Sequence, residues 1–263
     1  MGKEKGKRKH PILELKGVSK RFGAVQALYK VNFAAYPGLV TALVGDNGAG
    51  KSTLVKGISG SHNYDEGEIF FEGEKIEINT PRDASDLGIE VVYQDLALAD
   101  NLDVVANMYL GREKTGTLWR IDETEMERRT IETLDSLSVT TLQNVRLPVA
   151  SLSGGQRQAI AVAKAVMWNS RVVILDEPTA ALGVAQTRQV LDLVRRLADQ
   201  GLAVVIISHN LHDVFEVTDR ISVLRLGQTV AEYATSDTNQ QEVVEAITAG
   251  DLQTVPGMEE NTA

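Results

Sequence analysis

Cysteine is absent from the 263 residues, which excludes a disulfide framework, a thiolate zinc site and a catalytic thiol. Long apolar runs are absent as well. The aliphatic stretches, such as Ala203–Ile207, are strand-sized and fall far short of the ~20 residues a membrane span needs. The N-terminus is basic but lacks the apolar segment of a signal peptide. Positive charge is in deficit: 27 Lys and Arg face 36 Asp and Glu, for a net −9. Residues 1–10 gather Lys3, Lys5, Lys7, Arg8 and Lys9 against Glu4, so the remaining chain is more acidic than the whole. An acidic body of this kind argues against nucleic acid as a partner. The basic stretch reads as a solvated, disordered tail. With 43% hydrophobic and 24% charged residues the chain is not disordered throughout, and its length suffices for a sizeable core. These absences together point to a soluble protein on the cytoplasmic side.

Apolar strands alternate with amphipathic helices. Ile12–Lys16 alternates like a half-exposed strand, and Leu39–Val44 is an apolar run that stops at Gly45. Ser52–Ser59 follows as a helix. Ile69–Phe71 and Ile76–Ile78 read as a hairpin around Glu72-Gly73-Glu74, and Ile89–Tyr93 as a further strand. The middle becomes helical. Asp122 with Glu125 forms a capping pattern ahead of a stripe of Met126, Ile131, Leu134 and Leu137, and Ser153 with Gln156 repeats it ahead of Ile160. Strand signals return at Val172–Leu175 and Ala203–Ile207, separated by a helix with Val184, Thr187, Val190, Leu191, Val194 and Leu197 on one face. Ile221–Leu224 and Thr229–Ala231 suggest a late hairpin, and the chain is polar after about Thr248. The pattern predicts an α/β fold with a largely parallel sheet, a helical lobe inserted at about residues 95–170 and a flexible tail over 249–263.

Three segments carry chemistry. Gly45-Asp46-Asn47-Gly48-Ala49-Gly50-Lys51-Ser52 fits G-x-x-x-x-G-K-[ST] between an apolar strand and a helix, where backbone N–H groups and a helix N-terminus converge on phosphate oxygens. Lys51 is suited to neutralise the β- and γ-phosphates, Ser52 to bind Mg²⁺, and Thr53 to add a hydroxyl contact. Val172–Leu175 runs into Asp176-Glu177. A strand ending on two carboxylates suits Asp176 to hold Mg²⁺ and Glu177 to deprotonate an attacking water. Leu152-Ser153-Gly154-Gly155-Gln156 opens another helix whose free N–H groups form a second anion site. Two such helix ends make sense when one nucleotide lies between two chains.

These motifs resemble the ATP-binding subunit of ABC transporters. The resemblance covers about residues 12–232, with the phosphate loop, Gln94 after a strand, the LSGGQ signature, Asp176-Glu177 and Ser208-His209 in the family's order. It implies an ABC-type nucleotide-binding domain over 11–248: a RecA-like P-loop NTPase core, an antiparallel β subdomain and the helical lobe. It further implies that Phe22 stacks on adenine and that Gln94 links Mg²⁺ and water to the transmembrane partner. Ser153, Gly155 and Gln156 would face the γ-phosphate held by the opposite chain, and His209 would bond the γ-phosphate. Glu177, His209, Gln94 and Lys51 are then the catalytic set, with ATP and Mg²⁺ as cofactors. The implied partners are a second copy of the subunit, transmembrane permease subunits and, indirectly, an external sugar-binding protein. The implied location is peripheral, on the cytoplasmic face of the plasma membrane. His62 and His212 match no motif position and read as surface residues.

One position departs from the family. Ala180-Ala181-Leu182-Gly183 stands where S-A-L-D is usual, so a carboxylate that helps couple two sites is replaced by Gly183. Phe22–Leu28, Leu110–Glu113 and Glu177–Leu182 look like the monosaccharide-importer branch, in particular its single-domain members, among which fructose import is known. The competing expectation is a soluble ABC ATPase of DNA repair or translation.

Overall fold

The computed structural model describes residues 10–115, 120–139, 141–142 and 144–249. The expected tails, residues 1–10 and 249–263, lie outside these apart from His10 and Ala249.

Two sheets organise the chain. The first is antiparallel: β2 (Val25–Ala35), β1 (Leu13–Phe22), β4 (Glu66–Phe71) and β5 (Glu74–Ile76), in that order. The second has six strands, in the order β10 (Gln228–Ala234), β9 (Arg220–Arg225), β3 (Val40–Val44), β8 (Ala203–Ile207), β7 (Val172–Asp176) and β6 (Ile89–Val92). All its neighbours pair in parallel except β9 with β10. Helix α1 (Lys51–Ile58) follows β3, and α2 (Pro81–Asp86) precedes β6. Between β6 and β7 the chain makes α3 (Val104–Tyr109), α4 (Glu123–Ser136) and α5 (Gly154–Val166). Helix α6 (Val184–Asp199) joins β7 to β8, α7 (Leu211–Val217) follows β8, and α8 (Gln240–Thr248) closes the described chain. The architecture is α/β, a mostly parallel six-stranded sheet with helices and a separate four-stranded antiparallel sheet, as the alternation of apolar strands and helices predicts.

The period of two along the central strands divides the core. Ala42, Val44, Val173, Leu175, Val204 and Ile206 face the larger core with α3–α8. Leu43, Val172, Ile174, Ala203, Val205 and Ile207 face the other, with α1 and the antiparallel sheet. Strands buried on both faces read as continuous aliphatic runs, which is why these were visible in the sequence.

Register then fixes the functional edge. Leu43 and Asp176 both pair with Ile207, and Val92 pairs with Leu175. The carboxyl ends of β3, β8, β7 and β6 therefore lie abreast. Gly45, Ser208-His209, Asp176-Glu177 and Tyr93-Gln94 leave the sheet side by side, at the edge where ligands bind in open α/β sheets.

Several expectations are corrected. Ile131 is 42% exposed, and the buried line of α4 runs through Met126, Thr130 and Leu134. Val184 is 91% exposed, so the buried face of α6 begins at Val190. The second strand of the hairpin around Glu72-Gly73 is Glu74–Ile76, not Ile76–Ile78. His62 is not a free surface ring: both its nitrogens are buried, and the ring packs between Phe22 and Tyr64. Strand β2 escaped the pattern because Lys30 has φ 48°, which breaks the alternation of buried residues between Leu28 and Val31.

Asn107 ties the entry of the helical segment together. It is fully buried, accepts from Ala99 N–H at 2.7 Å, and donates to the carbonyls of Ala99, Leu102 and Asp103 at 2.9–3.2 Å. Removing the amide strands several buried backbone groups at once. Asn107→Ala is expected to cost about 2–4 kcal/mol in urea unfolding.

Candidate functional site

Strand β3 is fully buried and ends at Gly45, whose φ of 150° opens the loop. A Cβ there would lie 2.0 Å from the Leu224 carbonyl oxygen, so β9 packs directly against the loop's first residue and only glycine fits. Asp46, Asn47 and Gly48 are exposed, and Gly50 caps α1 in the left-handed region with φ 104°. Helix α1 has no acidic residue in its first turn and no side-chain cap, so its N–H groups and dipole are directed at the loop.

Lys51 curls back inside the loop. Its Nζ donates to the Gly45 carbonyl at 2.6 Å and the Asp46 carbonyl at 3.0 Å. Burial lowers its pKa, while Glu177, Asp46 and Asp176 oppose that shift. Facing it, Asp176 has its pKa raised, first by burial and then by the adjacent Glu177 charge, with Lys51 and Lys56 pulling the other way. Glu177 sits at φ 49°, a left-handed backbone that a non-glycine residue holds only under constraint from its surroundings. Its Oε2 lies 2.9 Å from His209 Nδ1; Glu177 is largely shielded and His209 is exposed.

Most of these groups line one cleft of about 370 Å³; Gly45, Asp46 and His209 are outside its wall, His209 reaching it only through its contact with Glu177. Asn47, Gly48, Ala49, Gly50, Lys51, Ser52, Thr53, Gln94, Asp176 and Glu177 are all in its wall. Val25, Gln26, Ala27 and Ile207 complete it. The first three were read only as part of a branch-like stretch and not as site residues, because they belong to β2 and the sheet pairing alone brings them there. Phe22 is outside the wall but pairs with Val25 across the β1–β2 turn and is 50% exposed. Ser153, Gly155 and Gln156 are not in the cleft wall. Their helix start is internally capped: Ser153 Oγ accepts from Gln156 N–H at 3.3 Å, and Gln156 Oε1 accepts from Ser153 N–H at 2.9 Å. Gly155 is buried against Gln186.

The donors suit a hard cation. Ser52, Asp176 and the Gln94 amide offer oxygen, the ligand type Mg²⁺ prefers. Among the described residues no group of three or more His, Cys, Asp or Glu forms a metal site by itself. A Mg²⁺ here needs phosphate oxygens to complete its shell, as is usual for nucleotide sites.

A cradle of backbone N–H groups, a lysine and a carboxylate pair at one sheet edge define a phosphate-binding NTPase site, and comparison narrows the class. The profile of the family described as "ABC transporter" matches residues 28–180. The chain is 46% identical over 244 residues to the fructose import ATP-binding protein of Rhizobium meliloti, covering 90% of this chain and 94% of that protein. It is also 46% identical to the xylose/arabinose import ATP-binding protein of Sulfolobus acidocaldarius, with the same coverage. A dimeric post-hydrolysis ATP-binding cassette bound to ADP and Pi superposes with a TM-score of 0.70 at 25% identity, over 85% of this chain and 98% of that one. The chain belongs to the ABC transporter family and carries its nucleotide-binding ATPase domain.

The carboxylate pair has a stability consequence. A raised Asp176 pKa means the folded state binds this proton more tightly than the unfolded chain does. Folding therefore loses stability as pH rises through the window between the ordinary carboxylate value and the raised one. Asp176→Asn is expected to raise the melting temperature of the nucleotide-free protein above that window and to leave it unchanged at more acidic pH. A melting temperature that falls in thermal scans at neutral pH would contradict this.

Proposed function

We propose that this subunit hydrolyses ATP to energise import of a monosaccharide of the fructose, ribose or xylose class through an ABC transporter. The observation that carries the reading is the alignment of the phosphate loop, Gln94, Asp176-Glu177 and His209 on one sheet edge, with the importer relatives supplying the physiological direction. Those relatives favour transport over a soluble repair or translation ATPase.

The roles follow from position. Backbone N–H groups of Gly45–Ser52 bind the β- and γ-phosphates, and Lys51 exchanges its two carbonyl contacts for phosphate oxygens. Ser52, Gln94 and Asp176 would hold Mg²⁺, which neutralises charge on the phosphates when bound. Glu177 takes a proton from the water that attacks the γ-phosphorus, the bond to the β-phosphate oxygen breaks, and ADP and phosphate leave. His209 holds the Glu177 carboxylate and senses the γ-phosphate. Phe22 stacks on the base at the mouth of the cleft.

Ser153, Gly155 and Gln156 lie outside this cleft wall, so they complete the cleft of a second copy in a head-to-tail homodimer with two equivalent sites. Gly183 starts α6 with φ −74° and open space around its Cβ position, so its backbone needs no glycine and the missing carboxylate is a chemical difference alone.

Attachment to the permease falls to the segment after Gln94. Val104 and Val105 are core residues, whereas Leu96 and Leu110 line a groove of about 320 Å³ with Ala161, Ala165 and Trp168, the buried Met108 at its floor. This groove receives a short cytoplasmic helix of the permease. Among the described residues no helix is long and apolar enough to cross a membrane; the reading as a peripheral subunit on the cytoplasmic face rests on the importer relatives.

Glu177→Gln tests the reading. ATP binding is expected to persist, hydrolysis to fall about 10²–10⁴-fold, and uptake of one of labelled fructose, ribose or xylose to be lost in cells carrying the variant. Hydrolysis equal to the parent would remove Glu177 from the mechanism. Lost hydrolysis with all three uptakes unchanged would remove the import assignment.

A further inference from the structure

The loop joining α1 to β4, residues 59–65, is tied down at both ends. At α1, Ser61 and His62 N–H groups donate to the Lys56 carbonyl at 2.9 and 3.4 Å. At β1, Asp65 N–H donates to the Ser19 carbonyl at 2.8 Å. The Asp65 carboxylate also accepts from Lys20 Nζ at 2.8 Å and from Arg21 N–H at 2.7 Å, on the two residues that precede Phe22.

Between these anchors three rings form a row. Phe22 and His62 meet edge-to-face with centroids 5.6 Å apart and planes at 78°, and His62 meets Tyr64 at 6.2 Å and 78°. Tyr64 Oη donates to the Leu54 carbonyl of α1 at 2.6 Å, and its ring fills the space a Cβ on Gly57 would need. The row therefore runs from the tip of the β1–β2 hairpin to the helix that carries the phosphate loop.

His62 is used here as a ring rather than as a hydrogen-bonding group. Both its nitrogens are buried and neither makes a well-formed hydrogen bond, a cost that the packing of the ring helps to offset. Burial first, then Lys20, lowers its pKa, the backbone at His62 and Asn63 opposes the shift and Lys56 adds to it, with Asp65 the acidic neighbour. Phe22 by contrast is half-exposed beside Gly23, at φ 59°, with Lys20 Nζ over its ring at 5.5 Å from the centroid and the edge-to-face contact of His62 beside it. A side chain in such a turn loses rotamer freedom when a ligand stacks on it, unless a neighbour already fixes it.

We propose that His62 is a positioning residue for the nucleotide base: it fixes the Phe22 ring at the mouth of the cleft through an edge-to-face contact braced on α1 by Tyr64. The inference rests on the reading of Phe22 as the base platform.

The test compares ATP with inorganic tripolyphosphate, which has the phosphates but no base. Affinities of both, with Mg²⁺, are measured by calorimetry for the full chain and its His62→Ala, His62→Phe and Phe22→Ala variants, with thermal melting as the check on folding. His62→Ala is expected to weaken ATP about three- to tenfold, to leave tripolyphosphate within about twofold, and to be restored for ATP by His62→Phe. Phe22→Ala is expected to lose affinity for ATP alone. Unchanged ATP affinity in His62→Ala beside a loss in Phe22→Ala overturns the role of His62 and leaves the platform standing. An equal loss for both ligands in His62→Ala, or no rescue by His62→Phe, reduces His62 to a structural residue. No effect of Phe22→Ala on ATP removes the platform and the inference together.

Discussion

Parallel register between β3, β8, β7 and β6 is the constraint on which the rest of the structure depends. Leu43 and Asp176 pair with the same residue, Ile207, so β8 and β7 end in step, β3 runs one residue further and β6 ends one residue short. A slip of one residue would turn each strand's side chains to the opposite core and move its terminal polar group away from its neighbours. The aliphatic runs are thus more than filler. They fix the register, and the register sets the distances among phosphate loop, carboxylates, glutamine and histidine.

What the sheet gathers is electrostatically costly without a ligand. Asp176 is half-buried beside Glu177, and Lys51 is half-buried with only two carbonyls as direct partners. Glu177 adds a left-handed backbone. Each feature opposes folding slightly, and together they leave unmet charge of both signs facing one cleft. In the proposed function a Mg²⁺–triphosphate group satisfies both at once, so the residues that oppose folding would be those that hold the nucleotide.

Much of this was legible in the sequence, for identifiable reasons. Buried strands appear as apolar runs and the phosphate loop as fixed glycines, because both reflect short-range geometry. The cap at Ser153 was legible for the same reason and is present with both of its hydrogen bonds. Contacts set by tertiary pairing were not. Val25, Gln26 and Ala27 enter the cleft wall only because β2 folds back over it, and the Lys30 backbone hides β2 from any test of alternation. Helix α2 was missed although Thr80, Pro81 and Asp83 spell a capping box with proline in the first turn. His62 looked unremarkable because its ring partners are a hairpin tip on one side and Tyr64 two residues on; neither makes a periodic pattern.

The central claim is that one nucleotide lies between the cleft of one chain and the Ser153 helix of another. The direct measurement is ATP hydrolysis by a Ser153→Arg chain and a Lys51→Ala chain, alone and mixed. The account predicts that each is inactive alone and that mixing restores activity, because a mixed dimer holds one site with both lesions and one with neither. Normal hydrolysis by the Ser153→Arg chain alone would contradict it.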